Sequence, residues 1–235
     1  MARFNRFDPT KIGSAASVAV IGLGRFGTAL ALELMAHGTE VLGIDGDEAV
    51  VQDLNGQLTA VVTGDSSRPE LMEQLGLAEF DRVVVAIGTD VTANILTTSQ
   101  LLRIGVKDVW AKAIDERHAL ILNQLGVHHV VRPEADMGRR VAHMVRGALE
   151  DFIEIEPGYA AVRLEMPADL AAVPLRELGL QAKHGIGIGA LKREGAWILA
   201  NPESRFEPGD ILLVHGLTSK VEAFAALAAR QRSRA

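Results

Sequence analysis

Val18-Ala19-Val20-Ile21-Gly22-Leu23-Gly24-Arg25-Phe26-Gly27 begins as a short β-branched run and ends as G-x-G-x-x-G. The hexad alone is a weak signal. Its context gives it meaning, because a strand precedes it and a helical stretch, Arg25–His37, opens from it. Gly22 allows the tight turn, Gly24 lets a pyrophosphate approach the backbone, and Gly27 lets helix and strand pack closely. The free N–H groups and the positive end of the helix dipole then face an anion. Asp45 ends the next strand, 18 positions after Gly27. A carboxylate there accepts hydrogen bonds from both ribose hydroxyls of a dinucleotide and repels a 2′-phosphate, which disfavours NADP.

The same rhythm continues through the first 150 residues or so. Strands are expected at Val18–Ile21, Glu40–Ile44, Thr59–Thr63, Arg82–Ile87, Asp108–Lys112 and His128–Val131. Helices are expected near Arg25–His37, Asp47–Leu54, Pro69–Leu75, Val91–Ile104 and Glu116–Leu125, four of them followed by glycine. This alternation predicts an α/β fold, a Rossmann-type doubly wound parallel sheet in the order 3-2-1-4-5-6. Ligands of such sheets sit beyond the carboxyl ends of the strands. Gly46, Asp47, Gly64-Asp65 and Ala86-Ile87-Gly88 therefore join the candidate crevice.

After Pro133 the pattern changes. A long amphipathic helix is expected from Glu134 to about Asp151, with Met137, Val141, Met144, Val145 and Leu149 near helical spacing. Its apolar face reads as a subunit interface. Beyond it the sequence is strand-rich, at Ala160–Glu165, Gly185–Lys192, Ala196–Ala200 and Asp210–His215, with turns at Glu194-Gly195 and Glu207–Asp210 and a last helix at Ser219–Ala229. The organisation expected is a flexible segment (1–14), a nucleotide-binding domain (15–132), a crossover and dimerisation helix (133–152), a smaller α+β domain (153–230) and a tail (231–235).

Composition narrows the function. Of the 235 residues 48% are hydrophobic and 23% charged, enough to build packed cores. A net charge of −6 argues against nucleic acid as a partner. The absence of cysteine removes disulfides and thiolate chemistry. No apolar run reaches the roughly 18 residues that a membrane span needs, so a cytoplasmic chain is expected, meeting a membrane only through a partner.

Catalytic machinery is missing from the pattern. The fingerprint and Asp45 alone fit an NAD-dependent oxidoreductase, but that reading also needs an acid–base pair. His143, His184 and His215 fall in no such arrangement, and Tyr159 is the sole tyrosine, without a Tyr-x-x-x-Lys. There is no Walker A lysine motif, H-E-x-x-H or G-x-S-x-G. His128 and His129 are adjacent, so on a strand they face opposite ways and cannot share a metal. A nucleotide site without such machinery points to a sensor, coupled to a membrane partner or freely soluble.

Several segments are similar to one family. Val20-Ile-Gly-Leu-Gly-Arg-Phe-Gly27, Val85-Ala-Ile-Gly88, Leu96-Thr-Thr98, Trp110-Ala-Lys-Ala113 and Arg132-Pro-Glu-Ala-Asp-Met-Gly138 resemble the potassium-transport regulatory family called RCK or KTN, in its KtrA/TrkA branch. Leu178–Leu191 and Phe206-Glu-Pro-Gly-Asp-Ile-Leu-Leu-Val-His-Gly216 resemble the RCK C-terminal (TrkA-C) domain. The resemblance implies a non-enzymatic gating subunit that binds ATP/ADP, or NAD(H) in the Trk branch. It also implies a homodimer that assembles into an octameric ring under a membrane potassium translocation subunit (KtrB/TrkH-like).

Residue roles follow from the resemblance in the same way. Arg25 matches an arginine that reaches a neighbouring subunit's γ-phosphate, and Lys112 matches a lysine near the triphosphate. Glu134 matches a glutamate that helps bind Mg²⁺ or Ca²⁺ beside the γ-phosphate, and Arg117 joins the nucleotide set. Asp47 stands where relatives often carry asparagine. Gln181-Ala-Lys-His-Gly185 stands where relatives that bind cyclic di-AMP carry an arginine first. Its loss argues against cyclic di-AMP here, with Lys183 or His184 as the substitutes that binding would need.

Overall fold

The computed structural model describes residues 17–146, 149–166, 170 and 173–232. The expected flexible segment 1–14 and the end of the expected tail, 233–235, lie outside them. The chain divides into two compact units, at Ala135/Asp136.

The first unit is built on six parallel strands: β1 (Ser17–Ile21), β2 (Glu40–Asp45), β3 (Ala60–Thr63), β4 (Arg82–Val85), β5 (Val109–Lys112) and β6 (His129–Val131). Their order is β3-β2-β1-β4-β5-β6, as the alternation predicts. Side chains alternate across a strand, and the apolar residues here obey that rule. Ala19, Ile21, Leu42, Ile44, Val83 and Val85 enter one core with Met72, Leu101 and Leu122. Val18, Val20, Val41 and Val84 enter a second core with Ala31 and Leu54. The sheet is thus buried on both faces, as parallel sheets require.

The helices of this unit are α1 (Arg25–Ala36), α2 (Glu48–Leu54), α3 (Pro69–Gln74), α4 (Val91–Arg103) and α5 (Glu116–Gln124). Aspartates start three of them. Asp47, Asp90 and Asp115 accept hydrogen bonds from the backbone N–H groups of Ala49, Ala93 and His118. Each thereby satisfies a donor that a helix start leaves open.

Two glycines are sterically fixed. Gly22 has φ +92°, and a Cβ there would lie 2.8 Å from the Ile87 nitrogen. A Cβ on Gly27 would lie 1.9 Å from the Gly22 carbonyl oxygen. Loop, helix and strand therefore meet through bare backbone.

The second unit carries a five-stranded antiparallel sheet in the order β10-β9-β11-β8-β7. Its strands are β7 (Asp151–Glu156), β8 (Tyr159–Glu165), β9 (Ile186–Arg193), β10 (Ala196–Leu199) and β11 (Ile211–Leu217). Beside them stand α6 (Pro133–Arg146), which starts in the first unit, α7 (Leu175–Leu178), α8 (Leu180–His184) and α9 (Thr218–Arg232). Val221, Phe224, Ala225 and Ala228 of α9 pack with Val162, Leu164, Leu212 and Val214 in one core.

Glu194 and Gly195, at φ 49° and 86°, form the expected tight turn between β9 and β10. The turn before β11 is closed by a charge. Buried Asp210 accepts a two-pronged contact from Arg193, Nε to Oδ1 at 2.9 Å and Nη2 to Oδ2 at 2.7 Å. That contact holds the Asp210 carboxyl below the usual carboxylate range.

One expectation needs correction. The long helix does not reach Asp151, because α6 ends at Arg146 and Asp151 opens β7. The Asp151 carboxylate caps that strand start, accepting from the Phe152 nitrogen and from Arg140. Asp151-Phe-Ile-Glu-Ile-Glu156 pairs with β8, so the antiparallel sheet begins inside the segment read as crossover. Leu149, read as part of the helical stripe, lies instead in the core of the second unit.

Gly27→Ala should destabilise the first unit by roughly 1–3 kcal/mol, because its methyl group meets backbone that cannot move aside. Urea unfolding followed by Trp110 fluorescence, in a Trp197→Phe background, should show the lower midpoint. An unchanged midpoint would contradict this packing.

Candidate functional site

The carboxyl ends of β1 to β5 open on a crevice of about 760 Å³ in the first unit. It is lined by Gly22, Gly24, Arg25, Phe26, Asp45, Gly46, Gly64, Asp65, Ala86, Ile87, Gly88, Lys112 and Glu134 from the expected set. The fold brings these thirteen together from five strand ends and the start of α6.

The remaining four candidates lie elsewhere. Leu23 is buried in the core, and its backbone nitrogen points to Asp45. Gly27 sits under the loop as a packing residue. Asp47 caps α2, and Arg117 is exposed on the first turn of α5. None of the four lines the crevice.

At one end, α1 starts without a side-chain cap, its N-cap being Gly24. Its first N–H groups are therefore left for an anion. Asp45 stands beside it with both carboxylate oxygens engaged. Oδ2 accepts from the Leu23 nitrogen at 2.6 Å and Oδ1 from the Asp47 nitrogen at 2.9 Å. Each carboxylate oxygen has two acceptor sites, so the group still has capacity for ribose hydroxyls. Asp65 is held in its own turn by Ser67 and Arg68. The Ser67 hydroxyl and backbone N–H keep its carboxyl below the ordinary value.

At the other end, Lys112 is buried to 9% exposure with its ammonium 2.6 Å from Glu134 Oε1. The Phe26 ring lies under that ammonium, with its centroid 5.8 Å away. Gly88 adjoins it too, since a Cβ there would lie 3.1 Å from Lys112 Nζ. The Glu134 carboxyl is held low, first by the Lys112 hydrogen bond, with smaller attraction from Lys112 and Arg25. Both basic side chains thus work on one carboxylate at the crevice mouth. Among the described residues no group of three or more His, Asp or Glu side chains is set to hold a metal. A divalent ion at Glu134 would therefore need ligand oxygens besides its carboxylate.

Ser66, Thr89, Ala93 and Ile114 also line the crevice and escaped the sequence reading. Ser66 carried a signal, being next to Asp65 at a strand end. His128 and His129 part as expected: His128 Nδ1 accepts from the Val109 nitrogen at 3.0 Å, while His129 stacks on Trp110.

Fold and crevice together define a Rossmann-type module with a crevice at its strand ends, followed in the chain by a small antiparallel lobe. The family models of the TrkA-N domain and the TrkA-C domain match residues 18–133 and 159–229. The chain is 37% identical over 209 residues to the Ktr system potassium uptake protein C of Bacillus subtilis, covering 88% of this chain and 94% of that protein. It is 35% identical over 206 residues to the Ktr system potassium uptake protein A of Vibrio alginolyticus, with 86% and 93% covered. The chain belongs to the family of Ktr/Trk potassium uptake regulatory proteins, with TrkA-N and TrkA-C domains.

In fold it is similar to the GsuK RCK domain, at TM-score 0.64 and 17% identity. That match covers 92% of this chain and 48% of the GsuK chain, so this chain spans about half of its length. A second GsuK structure with NAD bound aligns equally, at TM-score 0.64 and 15% identity.

The Glu134 carboxyl should titrate below an ordinary glutamate. Its lowered folded value means that the Lys112–Glu134 attraction is present above the unfolded value and is lost as pH falls through the folded one. NMR titration of its side-chain carboxyl should show this, and Lys112→Met should move the midpoint upward. A midpoint that ignores Lys112→Met would contradict the pairing.

Proposed function

We propose that this protein is the cytosolic gating subunit of a Ktr/Trk-type potassium uptake system, and that ATP and ADP compete for its crevice. The observation that carries the ligand is the polarity of the site: an uncapped helix start beside Asp45 at one end, and Arg25, Lys112 and Glu134 at the other. The first end suits an adenosine diphosphate moiety without a 2′-phosphate. The second suits a charged terminal phosphate, because a buried ammonium and a guanidinium favour ATP over ADP. NAD(H) is the alternative occupant, and it uses the first end in the same way.

Glu134 would contribute a carboxylate to Mg²⁺ or Ca²⁺ shared with phosphate oxygens, and the ion would supply charge neutralisation there. Lys112, now paired with Glu134, is then available to phosphate. The gating chemistry needs no bond-breaking step, so the subunit acts as a regulator and not as an enzyme. ATP and ADP drive a switch only through their different affinities for two shapes of the assembly.

The relatives are named for potassium uptake systems, which supports a membrane translocation subunit (KtrB/TrkH-like) as partner. No helix among the described residues is long and apolar enough to cross a membrane, consistent with a peripheral, cytoplasmic place. Assembly as dimers in an octameric ring fits the exposed apolar residues Met137, Val141 and Val145 on α6. In the second unit, a cavity of about 760 Å³ is lined by Tyr159, Gln181 and His215 among others. Gln181 stands where the arginine is expected, and Arg176, which also lines this cavity, is already paired with Glu177 and Glu203, which weighs against cyclic di-AMP there.

Arg25→Ala should lower ATP affinity about tenfold, or about 1.4 kcal/mol, and leave ADP affinity within about threefold. Calorimetry on the full chain reads both. Failure of any adenine nucleotide to bind more tightly than about millimolar would sink the proposal.

A further inference from the structure

Asn94 is fully buried on α4, on a face that also buries Thr97, Thr98 and Leu101. A buried carboxamide is costly unless its hydrogen bonds are made. Here they are made to two neighbouring strands. Nδ2 donates to the Ile87 carbonyl at 2.8 Å and to the Lys112 carbonyl at 3.0 Å. Because both partners are carbonyl oxygens, the amide nitrogen and not its oxygen faces them, and Thr98 Oγ1 stands 3.5 Å from the Oδ1 left on the other side.

The position of those carbonyls is informative. The β4–β5 ladder has its last pair at Val85 and Ala111. Ile87 and Lys112 lie just beyond it, where the strands lead into the crevice walls. Asn94 therefore supplies a side-chain rung after the backbone rungs end. The residue after Ile87 is Gly88, whose Cβ position is 3.1 Å from the Lys112 ammonium. The two clipped carbonyls thus belong to the backbone on either side of that ammonium, next to Gly88 and at Lys112 itself. Asn94 itself does not line the crevice.

We propose that Asn94 is a positioning residue of the crevice: its buried carboxamide clips the Ile87 and Lys112 carbonyls together and so sets where Lys112 meets the terminal phosphate of a bound nucleotide. The inference rests on the nucleotide reading above and names a residue that acts through Lys112. An amide is required chemically. A leucine would fill the space and strand two carbonyls, and an ionised aspartate would turn an acceptor toward two acceptors.

The test compares ATP and ADP affinities by calorimetry on the full chain, for wild type, Asn94→Ala, Asn94→Asp and Leu101→Ala. Leu101 is fully buried on the same helix and its side chain has no hydrogen-bond donor for either carbonyl, so it reports loss of stability alone. Both Asn94 variants should lower the ATP-to-ADP affinity ratio about tenfold, while Leu101→Ala lowers the unfolding midpoint and leaves the ratio within about twofold. Equal weakening of both nucleotides in the Asn94 variants, or no weakening, overturns the proposal. If both variants fail to fold, Asn94 belongs to the folding core and the proposal also falls. A wild-type chain that binds neither nucleotide is a different result, because it removes the nucleotide reading itself.

Discussion

The carboxylate of Asp45 pins the glycine loop to the sheet, and the rest of the crevice is built around that contact. It takes the Leu23 nitrogen on one oxygen and the Asp47 nitrogen on the other, and the Asp45 backbone carbonyl accepts from the Gly64 nitrogen. One residue thereby ties together the loop after β1, the start of α2 and the end of β3. Close packing of Gly22 and Gly27 then leaves α1 no room to shift, so its open N-terminus faces the crevice. A hydrogen bond from a backbone N–H to a charged group is among the stronger ones available to a protein. Asp45 is therefore a structural acid first, with remaining lone pairs for a ribose.

A second charged group balances the first. Lys112 is nearly buried, and a buried ammonium needs a counter-charge. In this structure Glu134 supplies it. A terminal phosphate would compete for the same ammonium and a divalent ion for the same carboxylate. The pair therefore holds the far end of the crevice in a neutral state that a charged ligand can exchange into. Glu134 stands in the first turn of α6, the helix in which the chain passes from the first unit to the second.

Much of this was legible in the sequence, for definite reasons. Short β-branched runs such as Val18–Ile21 and Arg82–Val85, alternating with helical stretches that end at glycines, specify the parallel sheet almost element by element. The crevice followed from topology, since strand ends in a doubly wound sheet converge. The extent of α6 was not legible, because Asp151–Glu156 follows an amphipathic stretch and its register is set by pairing with β8, a tertiary contact. The engagement of Asp45 with backbone was hidden for the same reason. Asn94 left a trace, a polar residue followed by Thr97 and Thr98 on a helix face that should be apolar. Its two partners lie on different strands and could only be seen folded.

The claim that the Asp45 end of the crevice takes an adenine nucleotide without a 2′-phosphate is tested most directly by the native protein itself. The purified full chain is denatured and the released small molecules are identified by mass spectrometry. The account predicts ATP or ADP, or NAD(H) as the alternative, in close to one copy per chain. Release of NADPH or NADP, or of no nucleotide from a chain that also fails to take up ATP, ADP and NADH, would contradict it.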